Sequence, residues 1–161
     1  MQFDENNIGQ KISVNDFNEV FFADNMETSC GLVLSNLGSI LLLQYPQGHW
    51  DLPKGHVEDD DEDHIATVRR ELEEETGISD VEFVPGFCER SEYSYRHKGK
   101  KNVKQVYWYL GETERISIKL SREHRGHMWL EWDQALEMLT HEETRIVVKS
   151  AMNHMKSVGK L

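Results

Sequence analysis

Between residues 62 and 76 the methyl-bearing side chains Ile65, Val68, Leu72 and Thr76 recur at three- and four-residue steps, and Gly77 follows at once. That period marks one buried face of a helix, with Asp59, Asp60 and Asp61 ahead of it as candidate caps and a glycine suited to a left-handed stop. On the same helix Glu71, Glu74 and Glu75 stand at i, i+3 and i+4, so three carboxylates share one patch. A helix with an apolar stripe needs a surface to lay it on, and strand patterns flank it. CGLVLS from Cys30 and SILLLQY from Ser39 are apolar runs separated by Asn36-Leu37-Gly38, which reads as a hairpin of two buried strands. Further strand-like stretches fall at 82–90, 104–110, 116–120 and 128–132, and Trp108 and Trp129 among them read as core. Asp133 to Leu139 is a short helix, and Thr140-x-x-Glu143 is a capping box opening a second, whose Ile146, Val147, Ala151 and Met155 can face the sheet. The pattern predicts an α+β fold with a mixed sheet.

The chain has 161 residues, the length of one domain, and 38% hydrophobic residues, enough to build a core. Residues 29–161 carry the domain pattern. Residues 1–28 are acidic and weakly patterned, with one apolar run at Val20-Phe21-Phe22-Ala23, and read as an arm or edge strand without an assigned role. The formal charge of −11 repels nucleic acid backbones and anionic membranes, so a nucleic acid partner is not expected and any phosphate must be met by a local cation. No window approaches the length of a membrane span. Cys30 and Cys88 lack metal-site spacing, which points away from a disulfide scaffold and toward a reducing cytoplasm. The sequence does not report an oligomeric state.

Three like charges on one helix face repel one another, and a divalent cation is the simplest thing that turns the repulsion into binding. Oxygen-only ligands select a hard ion, Mg2+ or Mn2+. The bland alternative is a solvated acidic face. What tips the balance is the wider pattern: Glu62, seven residues, then Arg70-Glu71-Leu72-x-Glu74-Glu75-x-Gly77-Ile78 resembles the Nudix box, the loop–helix–loop signature of hydrolases that cut a nucleoside diphosphate linked to another group. Six residues rather than the usual five separate Gly55 from Glu62, as if one were inserted in the Asp59–Asp61 loop. The resemblance implies a mixed sheet packed between helices in an α-β-α sandwich. It also implies Glu71, Glu74 and Glu75 as metal ligands, the carbonyl of Gly55 as a further one, and Arg70 paired with a carboxylate, Glu62.

The run His49-Trp50-Asp51-Leu52-Pro53-Lys54-Gly55-His56-Val57-Glu58 is similar to that of the bis(5′-nucleosyl)-tetraphosphatase branch, enzymes that split diadenosine tetraphosphate into ATP and AMP. Gly86-Phe87, Tyr93, Val106-Tyr107-Trp108, Leu120-Ser121-x-Glu123-His124 and Trp129-Leu130 follow in the branch's order, so the resemblance runs from about Cys30 to about Leu139. It implies that Tyr93 stacks on an adenine, that the second stacking ring falls at His127, and that Glu123 approaches the metals. His124 beside it could be a helper or a loop histidine, and reads as the latter. Lys54, beside the metal loop, suits a phosphate oxygen or plain solvation. Five cations, Arg96, Lys98, Lys100, Lys101 and Lys104, suit either a polyphosphate clamp or a soluble loop.

The implied chemistry is metal-assisted phosphoanhydride hydrolysis of a small nucleotide, with Glu75 or Glu123 taking the proton from water. Two rivals stand beside diadenosine tetraphosphate as substrate. The same box could serve another phosphorylated substrate (an RNA 5′ end, a nucleoside triphosphate, a diphosphoinositol phosphate), or the chain could be a silent nucleotide-sensing module.

Overall fold

A computed structural model describes residues 13–16, 19–21 and 25–161, with side chains from Met26 onward. β1 (Ser13–Asp16) and β2 (Glu19–Phe21) pair antiparallel in a sheet of their own. Val20 and Phe21 of the early apolar run thus lie in a strand, and Phe22 and Ala23 fall outside the described residues.

The main sheet is built from β3 (Asn25–Asn36), β4 (Ser39–Gln44), β5 (Trp50–Asp51), β6 (Lys54–His56), β7 (Glu82–Phe83), β8 (Glu89–His97), β9 (Lys100–Glu112) and β10 (Gly126–Glu131). Its spine runs β10-β4-β3-β9-β7, with β5 on β4, β6 on β3 and β8 on β9. β3 and β9 are parallel from Asn25–Asn102 to Ser35–Glu112, while the other pairings are antiparallel, so the sheet is mixed. β3 starts at Asn25, within the segment read as an arm.

Among the described residues three helices cover the two faces: α1 (His64–Thr76), α2 (Trp132–Met138) and α3 (Glu142–Ser157). Alternation along the strands explains why the apolar runs are continuous. Leu32, Leu34, Leu41 and Leu43 point to Val68 and Leu72 of α1, while Val33, Ile40 and Leu42 join Trp108, Ala135, Val148 and Ala151 on the side of α2 and α3. Each large aliphatic side chain so buried contributes about 1.5–3 kcal/mol. The expected sandwich, the β3–β4 hairpin and the core position of Trp108 are all present, and Trp129 packs half-buried on the α1 side.

Four local expectations need correction. The cap of α1 is Asp63, whose side chain accepts from the Ala66 amide, because Asp61 is engaged elsewhere. Residues 116–120 form no strand. Their backbone serves α1 instead: the Lys119 and Ser121 amides donate to the carbonyls of Thr76 and Glu75, groups a helix end leaves open. Thr140 caps nothing, since its hydroxyl accepts from the Trp50 amide, and α3 begins after His141 without a side-chain cap. Finally, Ile146 is 60% exposed, and the buried stripe of α3 is Thr144, Val147, Val148, Ala151 and Met155.

Candidate active site

The C-terminal half of α1, the β6 strand and the 121–124 turn meet at one cleft of about 630 Å3, floored by Val106 and Lys104 of β9. Gly55 is what allows α1 to come so close. A Cβ there would lie 1.9 Å from Cδ of Glu71, so only glycine leaves room for that carboxylate. The C-terminal stop, Gly77 at φ 76°, returns the chain toward the 119–121 segment that grips the helix end and carries Glu123 into the cleft.

Glu71, Glu74, Glu75 and Glu123 all line this cleft. Glu75 is the deepest, 5% exposed, and its Oε2 has no hydrogen-bond partner. Burial, with the charges of Glu71 and Glu123 added, pushes its carboxyl up to about 9 against the backbone hydrogen bond and the charge of Lys54. Burial also raises Glu71, although the neighbouring Arg70 opposes the shift. Tyr45 and His124 also line the cleft and meet edge to face, with ring centroids 4.7 Å apart. Burial raises the Tyr45 phenol and holds the His124 imidazole below the usual histidine range. His124 is 7% exposed, with Nδ1 2.9 Å from the Ser121 hydroxyl and Nε2 unpartnered.

Arg70 ties the loop to the helix. Its Nε and Nη2 donate to the two oxygens of Asp61 at 3.0 and 2.9 Å, Nη1 donates to Glu71 at 2.8 Å, and Nη2 also reaches the His56 carbonyl. The partner is thus Asp61, not Glu62, which is exposed. With the usual five residues, 56–60, between Gly55 and the acidic position, that position is Asp61, so the extra residue falls after the acidic partner and not before it. Asp61 also accepts from the Thr67 hydroxyl and the Glu58 amide, and these bonds, Arg70 first, hold its carboxyl far below the ordinary range. A depressed pKa contributes stability that is complete above the unfolded value near 4 and is lost only as pH falls through the folded value, well below it. Asp61→Asn should therefore lower the melting temperature at pH 7 and by clearly less at pH 2. An equal deficit at both values would show that the ion pair is not what the asparagine removes.

The other sequence-predicted residues divide. Lys54 lines the cleft with Nζ 3.2 Å from buried Asp51, and Gly55, Tyr93 and Lys104 line it too. Lys98 and Lys100 stand exposed at the β8–β9 turn and Lys101 is buried, and none of the three borders the cleft. His127 sits exposed on β10 opposite Leu43 and borders neither the cleft nor the cavity beside it. That second cavity, about 380 Å3, shares Lys54, Tyr93 and Val106 with the cleft and is lined by His49, Trp108 and His141. The rings that face Tyr93's surroundings are thus His49 and His141, 5.3 Å apart. His141 follows the α2–α3 corner, and only the packing of α3 brings it to the sheet.

A hard divalent cation fits the donors by their chemistry: they are anionic oxygens, mutually repelling, with one buried oxygen lacking any partner. Among the described residues they are not gathered into a ready coordination shell, since Glu71 lies against Arg70.

A mixed sheet between helices, with a glycine loop feeding an acidic helix, defines the architecture of a Nudix-type phosphoanhydride hydrolase. Residues 26–150 match the NUDIX domain family, and the chain belongs to it. It is 38% identical over 115 residues to the asymmetrical bis(5′-nucleosyl)-tetraphosphatase of Rattus norvegicus, covering 68% of this chain and 75% of that one. It is 29% identical to an RNA pyrophosphohydrolase of Caulobacter vibrioides, over 60% of this chain and 63% of that one. Its fold matches the crystal structure of a C. elegans Ap4A hydrolase binary complex with TM-score 0.69 and 28% identity, covering 81% of this chain and 98% of that one.

Proposed function

We propose that this enzyme is a Mg2+-dependent hydrolase of diadenosine tetraphosphate, releasing ATP and AMP in the cytoplasm. The observation that carries the reading is the adjacency of the two cavities: the ring-lined pocket shares Tyr93, Lys54 and Val106 with the carboxylate cleft. A base on Tyr93, within reach of His49 or His141, would place its phosphate chain along Lys54 and Lys104 toward Glu75. Mg2+ held by Glu71, Glu74, Glu75, Glu123 and the Gly55 carbonyl would supply charge neutralisation at the phosphates and a more acidic water. Glu75 supplies a buried, unpartnered oxygen suited to accept the water proton, and Lys54 faces the charge that develops on the phosphate. Arg70 acts from behind, fixing Glu71. The two free cysteines suit a reducing compartment, and no helix among the described residues is long and apolar enough to cross a membrane.

Base stacking is worth about 1–3 kcal/mol, so Tyr93→Ala should raise KM for diadenosine tetraphosphate roughly 5- to 150-fold, while His127→Ala changes it little. The measurement is kcat/KM across diadenosine tetraphosphate, ATP and a 5′-triphosphorylated RNA. A preference for the RNA, unaffected by Tyr93→Ala, would transfer the reading to RNA ends.

A further inference from the structure

Lys104, in the cleft wall, already has a carboxylate on it: Nζ lies 3.4 Å from an oxygen of Glu27. Strand topology dictates the pair. Parallel β3 sets Glu27 opposite Lys104 and antiparallel β8 sets Tyr93 opposite Lys104 from the other side, so the three side chains form one row on one face of the sheet. In the next row Ser29 and Val106 line the cleft that leads to Glu75. The side chains of Glu27 and Lys104 are 34% and 37% exposed, so the pair is weak and open to exchange. Glu27 lies in the stretch to which the sequence assigned no role, and it brings a negative charge to the edge of a cleft whose Lys104 suits phosphate.

We propose that Glu27 is a specificity-determining residue of this cleft: a competitor that a polyphosphate must displace from Lys104, so that it sets the affinity for phosphate chains. The inference rests on the reading of the cleft as a polyphosphate site. Glu27→Gln frees Lys104 for the bound polyanion. It should lower both the Kd for inorganic tripolyphosphate with Mg2+, measured by calorimetry, and the KM for diadenosine tetraphosphate. The expected change is roughly threefold to tenfold, with kcat unchanged, the scale of one unit charge near a polyanion in water. The gain should shrink in about 1 M salt, where the Debye length is near 3 Å. Lys104→Met should weaken both constants and erase the effect of Glu27→Gln in the double variant.

A Glu27→Gln variant that binds tripolyphosphate no better than the parent would overturn the proposal, as would an effect that persists without Lys104. Weaker binding would overturn it too, since Glu27 would then be orienting Lys104. If the parent fails to split diadenosine tetraphosphate, the substrate reading falls, yet the tripolyphosphate constants still decide the role of Glu27. A parent that does not bind tripolyphosphate contradicts the inference outright.

Discussion

Glu75→Gln should reduce turnover about 10²- to 10⁴-fold, the range over which positioned proton transfer contributes, with the fold intact. The amide matches the carboxylate in shape, so the packing around α1 is preserved. It differs in the two properties the site requires: it takes up no proton and binds a cation poorly. Because burial beside Glu71 and Glu123 pushes Glu75 up to about 9, the metal-free fold must take up a proton there at pH 8, and the amide removes that cost. In chelator at pH 8 the variant should therefore melt no lower than the parent. The measurements are kcat/KM and a thermal melt. Activity within tenfold of the parent would remove Glu75 from the chemistry, and a lower melting temperature would mean that its carboxylate stabilises the fold.

Gly55→Ala acts on the same site from the opposite wall. An added Cβ meets Glu71 at 1.9 Å from Cδ and 2.2 Å from Oε2, so something must shift. What yields is the end of a side chain rather than backbone, and the fold survives. The carboxylate is then displaced from its place beside Arg70. Misplacing a metal's supporting groups typically costs 10- to 100-fold in affinity, so half-saturation with Mg2+ should rise by about that factor. A Mg2+ titration of activity reads this directly. Unchanged half-saturation would mean that Glu71 does not hold the cation.

The parts of the molecule that periodicity describes were legible in the chain. Ile65, Val68 and Leu72 announce α1, and the unbroken LVL and ILLL runs announce strands covered on both faces, as β3 and β4 are. Spacing also brought the three helix glutamates to one place, because helix geometry fixes side chains three and four residues apart. The misses arose where a side chain or amide had two partners to choose from. Asp61 left the cap to Asp63 because an arginine nine residues on offers a bidentate pair. The 116–120 segment alternates like a strand, but its amides satisfy the end of α1. His141 lies far in sequence from Tyr93, and only the docking of α3 on the sheet brings it to the second cavity, so no local pattern could have preferred it to His127.

Incubating the protein with diadenosine tetraphosphate and Mg2+, with Glu75→Gln alongside, and resolving the products by ion exchange decides the matter. ATP and AMP are expected in equal amounts, and neither from the variant. Two equivalents of ADP, or equal yields from parent and variant, would contradict the proposed cleavage.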